Sequence, residues 1–194
     1  MRRDRVAAGR PRNARPRDGL GRPLEAGQGA GEERIPDDLV LAGPDAAALA
    51  DQLLRAGRPF HAHEVLEASW KFGPAAEREL WQGLAQIAVG LTHAHRGNAR
   101  GAVTLLRRGA DRVRAYRDAA EPSALGSEEP PATRGRPRAG GHPYGIEIGA
   151  VLAACDDLAA RIERRGLTDI PAADLRPRLL APAGADGPGR SVVE

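Results

Sequence analysis

The chain has 194 residues, a net charge of +3 and a single cysteine, and it is rich in the two helix breakers, with 24 Gly and 16 Pro. Residues 1-44 and 166-194 are rich in Gly, Pro and Arg, so about 140 residues or fewer remain for the core of one small domain. Residues 1-23 contain eight Arg and two Asp, which leaves the rest of the chain at −3. A basic folded surface for nucleic acid is therefore excluded. The single Cys155 excludes an intrachain disulfide and a multi-cysteine metal site.

The apolar segments of the chain are short. No stretch approaches the about 18 consecutive apolar residues that a membrane span requires, and the first arginines are not followed by the apolar core of a secretory signal. We therefore expect a cytoplasmic protein that makes no membrane contact. Contacts of the Arg-rich arm with nucleic acid are expected to be weak and limited to phosphates.

Helical patterning begins after a long polar arm. Residues 1-44 show no sustained hydrophobic period and are predicted to be disordered. The first helix is expected to open at Asp45, its N-cap, and to stop at Gly57. The second is expected to run from Pro59, in its first turn, to about Phe72, because a Gly-Pro pair follows.

Three further helices are predicted. A helix over 75-95 has a leucine stripe and small or polar residues on its other side, a pattern typical of a buried helix. A short Gly-Asn turn joins it to a fourth helix, which must pack antiparallel on it. Residues 118-143 are predicted to be a flexible linker, the last helix covers about 146-164, and residues 166-194 are predicted to be a disordered tail. The fold class is thus all-α, a compact bundle of about four to five helices over residues 45-165 with disordered N- and C-terminal tails.

Polar side chains occupy two of these helices where apolar ones are expected. On the second helix, His63, Glu67 and Trp70 share a face at spacings of four and three, with Glu64 beside them. On the third, a polar stripe falls within about 40° by the helical period; its members are Gln82, Gln86 and His93. Because an unsatisfied buried amide costs about 1–3 kcal/mol, the two sets are expected to meet.

One interpretation of these polar residues is a metal or acid–base site. His63 and Glu67, one turn apart, can ligate one divalent ion from a single helical face, with His93 as the third ligand. The string from His63 to Glu67 is close to the zinc-protease pattern, but Glu67 stands where that pattern has its second histidine. Protease chemistry is therefore not indicated, and Glu64 would serve the same metal or acid–base site as an auxiliary carboxylate.

The other interpretation is a core whose polar groups satisfy one another. Glu67 would then accept a hydrogen bond from His93 or from Trp70 Nε1, and the two glutamines would bridge the helices. His61 and His95 fall off the polar stripes. We expect them to be exposed or to lie at a helix end.

Three motifs in order carry a family resemblance: Phe60 to Glu67 with Trp70, then Trp81 to Ala88, then His93 with Arg96-Gly97-Asn98 and Gly101-Ala102. In their spacing they resemble the DUF309 family of small helical proteins, over about residues 47-116. The resemblance implies an all-α bundle and a shared polar set that is suspected to form a site. Carried over to this chain, that set is His63, Glu64, Glu67, Trp70, Gln82, Gln86, His93, Arg96 and Asn98.

Two functions are compatible with these features, and neither a substrate nor a reaction follows from the fold. The first is a metal-binding or hydrolase-like site for a small molecule, whose cofactor would be a divalent metal. Its candidate catalytic residues are His63, Glu64, Glu67 and His93, and its candidate metal ligands are His63, Glu67 and His93. The second is a non-enzymatic tetratricopeptide-like module, the hairpin from Leu80 to Tyr116, which would hold a peptide or pair with itself as a homo-oligomer.

Overall fold

The computed structural model describes residues 18, 20–22, 35–36, 39–120 and 143–181. These residues form five α-helices and no strand, apart from an isolated bridge between Ile146 and Leu180. The helices are α1 Gly43–Arg55, α2 Pro59–Phe72, α3 Arg78–His95, α4 Ala99–Ala120 and α5 Ile148–Arg165. Single 3₁₀ turns lie at Ala75–Glu77, Pro143–Gly145 and Ala172–Leu175. The prediction of an all-α bundle is confirmed.

Glycine and proline residues mark the boundaries of the first two helices. Gly57 ends the α1 turn in the left-handed region, at φ +73°, and its N–H donates to the Leu54 carbonyl, as expected for a glycine just past a helix. Asp45 is not the N-cap, because α1 starts at Gly43 and places Asp45 in its first turn, where a carboxylate favours the helix dipole. Helix α2 has the predicted limits, with Pro59 at its first position.

Helix α3 lies at the centre of the bundle. It packs between α2 and α4, while α5 covers the other side of α4 and α1 packs on α2. Its leucine stripe is buried, and Trp81 is 1% exposed. The prediction that this helix lacks an ordinary solvent face is confirmed, since even its polar stripe is half-buried.

Small residues bring α3 and α4 unusually close together. A Cβ built on Gly83 would lie 2.8 Å from the carbonyl oxygen of Gly109, and one built on Gly109 would lie 2.6 Å from the carbonyl oxygen of Gly83. Further along, a Cβ on Gly90 would lie 3.0 Å from the Leu106 nitrogen. The contacts run in opposite directions along the two helices, which confirms the antiparallel hairpin.

The folded domain extends beyond the expected boundary at residue 165. Residues 166–181 return across the bundle and bury Leu175 and Leu179 in the core. The carboxylate of Asp51, itself 6% exposed, accepts hydrogen bonds from the backbone N–H groups of Leu179 at 2.7 Å and Leu180 at 3.2 Å. The predicted disordered tail is therefore wrong over 166–181, because its buried leucines, the Asp51 carboxylate, the bridge between Ile146 and Leu180 and the Arg161–Asp174 pair hold this segment.

The remaining disorder predictions fall largely on residues that the structure does not describe. These are 121–142, within the predicted linker, 182–194 at the C-terminus, and most of 1–44. Within the linker range, α4 continues to Ala120 and the next 3₁₀ turn begins at Pro143.

The glycine contact between α3 and α4 can be tested by adding single methyl groups. Gly83→Ala and Gly109→Ala force a Cβ against backbone of the partner helix, and each is expected to destabilise the fold by about 1–3 kcal/mol. Gly149→Ala in α5 meets no atom within 4 Å and is expected to stabilise it by about 0.5–1 kcal/mol. Urea unfolding checks both, and equal effects of the three changes would contradict the close helix contact.

The role of Asp51 can be tested through the C-terminal segment. Asp51→Ala leaves two backbone donors unpaired, so we expect a loss of about 1–3 kcal/mol and faster tryptic cleavage after Arg178, which precedes Leu179. Asp157→Ala removes only an exposed pair with Arg161 and should change stability by less than about 0.5 kcal/mol. Cleavage rates unchanged in the Asp51 variant would show that the segment is held by something else.

Candidate ligand-binding groove between α2 and α3

The polar stripes of α2 and α3 lie on two helices that pack against each other. His63 and Trp70, seven residues apart, project from one flank of α2 and are both half-buried. On α3 the least buried stripe consists of Gln82, Gln86, Val89 and His93. We call the space between these two flanks the α2–α3 groove.

A short turn of the N-terminal arm joins the two helices at one end of this groove. The ring of Phe60 on α2 packs against Gly21, where a Cβ would lie 2.3 Å from the ring, and the guanidinium of Arg96 after α3 donates to the Leu20 carbonyl. The carboxylate of Asp18 accepts from the N–H groups of Leu20 at 3.0 Å and Arg22 at 2.7 Å. These described residues of the arm are therefore ordered on the domain, contrary to the prediction of disorder throughout 1-44.

Three buried polar atoms in the groove have no hydrogen-bond partner in the described part of the chain. They are Nδ1 of His63, Nε1 of Trp70 and Oε1 of Gln86. The expected satisfied core is therefore not what the structure shows, since Trp70 does not donate to Glu67 and Gln86 does not accept from α2. Buried polar atoms without partners are rare in folded proteins.

The His63 imidazole lies beside a carboxylate. Its Nε2 is 3.8 Å from Oε2 of Glu67, and the other Glu67 oxygen lies 2.9 Å from Nζ of Lys71. Burial lowers the pKa of His63 below its ordinary value of 6.5; the charge of Glu67 opposes this effect and that of Lys71 adds to it. The imidazole is therefore neutral near pH 7. The 3.8 Å separation is too long for a hydrogen bond, but the negative charge of Glu67 favours the tautomer with the proton on Nε2, which leaves the lone pair of Nδ1 to accept a proton or a hydrogen bond.

His93 forms its hydrogen bond with Asn98 and not with Glu67. Its Nδ1 lies 2.7 Å from the side-chain nitrogen of Asn98, and the Asn98 oxygen accepts from the Gly101 N–H at 2.9 Å. Within the ranges that the structure describes, no three His, Cys, Asp or Glu side chains are placed to hold a metal ion. The residues do not fit the three-ligand metal site expected from His63, Glu67 and His93, because Asn98 holds His93 and a lysine neutralises Glu67.

A surface cavity of about 290 Å³ lies on the outer side of α2. Glu64 and Glu67 line it, so Glu67 stands between this cavity and His63. Its other lining residues are Ile35, Pro36, Leu39, Ala68, Lys71 and Phe72. The cavity thus combines apolar walls with charged side chains. Sequence reasoning placed Glu64 and Glu67 at the site but missed Ile35, Pro36 and Leu39, which carry no motif.

The remaining described histidines lie off the two polar stripes. His61 is 2% exposed and packs edge-on against Phe60 at 5.7 Å; it lies in the first turn of α2, so of the two expected positions it has the helix end and not the exposed one. The structure places it on the α2 flank opposite His63 by the helical period. His95 is the last residue of α3, as expected for a helix-end histidine, and its burial lowers its pKa.

A second polar cluster, missed from the sequence, closes the N-terminal end of α3. Trp81 donates from Nε1 to Glu77 at 2.8 Å and stacks on Tyr144, whose hydroxyl donates to the same carboxylate. Every polar atom of this contact has its partner, which marks it as part of the core. Cys155 is also buried, and its pKa is raised to about 12 chiefly by that burial, so it is not a reactive thiolate.

Comparison with known proteins adds a family and no chemistry. A family model described as DUF309, domain of unknown function, matches residues 48–105. No curated protein and no solved structure matches the chain. No helix of the described residues is long and apolar enough to cross a membrane. The matched segment runs from within α1 into α4 and contains the whole α2–α3 groove. The similarity to the DUF309 family thus covers residues 48–105 of this chain.

Proposed function

We propose that this domain binds a small polar molecule in the α2–α3 groove, with His63 as the proton-accepting group. The observation that carries the proposal is the set of three buried atoms without partners, on His63, Trp70 and Gln86. Each such atom costs the fold about 1–3 kcal/mol, a cost that a ligand removes when it supplies the missing hydrogen bond. All three lie on two adjoining helix flanks, which supports a common ligand.

The types of these atoms define what the ligand must offer. Trp70 Nε1 can only donate, whereas Gln86 Oε1 can only accept. His63 Nδ1 accepts while the imidazole is neutral. A ligand that satisfies all three therefore carries at least one acceptor and two donors, as amides, ureas and hydroxylated molecules do.

A hydrolase-like role would use the same atoms. Glu67 beside Nε2 favours the tautomer that leaves Nδ1 basic, and burial keeps that nitrogen unprotonated. A carboxylate that orients a neutral histidine in this way is a common arrangement for general base catalysis. In this role His63 would accept a proton from water or from a substrate hydroxyl, and Glu67 would orient it.

A peptide is the second candidate ligand. Phe72, which lines the cavity on the outer side of α2, is 66% exposed. Val40 follows the lining residue Leu39 in the chain and is 56% exposed. Large exposed apolar side chains around a cavity are typical of a protein-binding surface. This favours the interaction-module alternative at the cavity rather than in the groove.

The two tryptophans provide a matched test of whether the groove is kept for binding. Trp70→Phe removes a donor that has no partner, so we expect stability to change by less than about 1 kcal/mol, in either direction. Trp81→Phe removes a donor bonded to Glu77 from a filled core and should cost about 1–3 kcal/mol. Urea unfolding of both variants gives the comparison. A larger loss for Trp70→Phe would place that side chain in a satisfied core and contradict the proposal.

Binding itself can be tested by a thermal-shift screen of small amides, ureas, hydroxy acids and short peptides. A ligand at one hundred times its Kd stabilises the fold by about 2.7 kcal/mol. We expect the shift to be lost in Trp70→Phe and in Gln86→Leu and kept in Phe72→Ser. Loss in Phe72→Ser alone would support the peptide alternative. Stoichiometric metal in the purified protein that disappears in His63→Ala would contradict a groove that binds through hydrogen bonds.

The lowered pKa of His63 predicts how stability depends on pH. Because the folded imidazole binds a proton less tightly than the unfolded one, it contributes stability above pH 6.5 that is lost as pH falls through the lowered pKa. We expect His63→Gln to lose less stability than the wild type between about pH 7 and 5. His95→Gln should flatten the profile independently, since its pKa is lowered by a separate burial. Parallel profiles for wild type and His63→Gln would contradict this account.

A further inference from the structure

The turn between α3 and α4 holds a hydrogen bond that the proposed function has not used. Asn98 precedes the first residue of α4, and its side-chain oxygen accepts from the Gly101 N–H at 2.9 Å, as an N-cap residue does. Its side-chain nitrogen lies 2.7 Å from Nδ1 of His93, the third-last residue of α3. One amide thus caps one helix and contacts the imidazole of the other.

The cap determines the orientation of the Asn98 amide. Because the Gly101 N–H can only donate, the atom facing it must be the amide oxygen, and the atom facing His93 must be the NH₂ group. That NH₂ group can only donate, so Nδ1 of His93 must be the acceptor. A neutral imidazole that accepts at Nδ1 carries its proton on Nε2.

Gly101 leaves room for this contact. A Cβ built at that position would lie 2.6 Å from the Asn98 side-chain nitrogen and 2.6 Å from Nδ1 of His93. Gly101 lies within helix α4, where glycine is unfavourable by about 0.5–1 kcal/mol relative to alanine. The missing side chain is therefore explained by the hydrogen bond between Asn98 and His93, and not by the helix.

We infer that Asn98 and Gly101 are positioning residues that set the proton of His93, so that the groove is offered a donor at His93 Nε2. The consequence for a ligand rests on the proposed function: the group next to His93 must be an acceptor, such as a carbonyl or carboxylate oxygen. His93 and His63 then have opposite roles, since His63 offers an acceptor at Nδ1. The hydrogen bond between Asn98 and His93 also gives a physical reason for the occurrence of His93, Asn98 and Gly101 at this spacing.

The hydrogen bond can be observed by NMR of the full ¹⁵N-labelled chain without any ligand. We expect a scalar coupling across the N–H···N bond from the Asn98 side-chain nitrogen to His93 Nδ1, together with an Nδ1 that carries no proton. Asn98→Asp keeps the cap but places an acceptor against Nδ1, so Nδ1 of His93 should carry a proton in that variant. An Asp variant in which Nδ1 of His93 remains without a proton would overturn the inference.

Two further variants separate this role from helix capping. Asn98→Ser retains a capping oxygen but is too short to reach His93, so the coupling should vanish while the thermal midpoint stays close to that of the wild type. Gly101→Ala should also abolish the coupling, because the added methyl group occupies its space. A coupling that survives in Gly101→Ala, or that is absent from the wild type with both resonances resolved, would overturn the proposal. These NMR results do not depend on ligand binding, so they would be the same if the groove bound nothing. Failure of the proposed function can therefore be distinguished from failure of this inference.

Discussion

The close approach of α3 to α4 through Gly83 and Gly109 is the constraint on which the remaining structure depends. With backbone atoms of the two helices in direct contact, α3 is enclosed by α4 on one side and by α2 on the other. Its polar stripe cannot then face open solvent as it would on an ordinary amphipathic helix. The half-buried positions of Gln82, Gln86 and His93 follow from this packing.

The two polar clusters of the bundle differ in how completely they are satisfied. Around Trp81, the indole N–H and the Tyr144 hydroxyl both reach Glu77, so that cluster contributes to stability. Around Trp70, buried donors and acceptors face no protein partner. Since both tryptophans belong to the same small domain, the contrast favours a binding role for the groove, because a fold selected for stability alone would have replaced those groups by apolar ones.

Periodicity and breakers predicted the helices well, because helix limits depend on neighbouring residues such as Pro59 and Gly57. They also identified the polar residues, since a helix without a solvent face is visible in the sequence. The partners of those residues were not predictable: that His93 bonds to Asn98 and Glu67 to Lys71 depends on rotamers and helix rotation. The ordered segment 166–181 was missed because Asp51, which holds it, is 128 residues away from Leu179 in the chain.

The central claim is that the polar atoms of the groove are kept unpaired for a ligand. The indole N–H resonances of the two tryptophans test it most directly, because the chain has no others. In a ¹H–¹⁵N spectrum, a ligand bound in the α2–α3 groove should shift the Trp70 indole N–H downfield and leave that of Trp81, already bonded to Glu77, in place. A Trp70 indole N–H that is already hydrogen-bonded within the ligand-free protein, and that no ligand shifts, would contradict it.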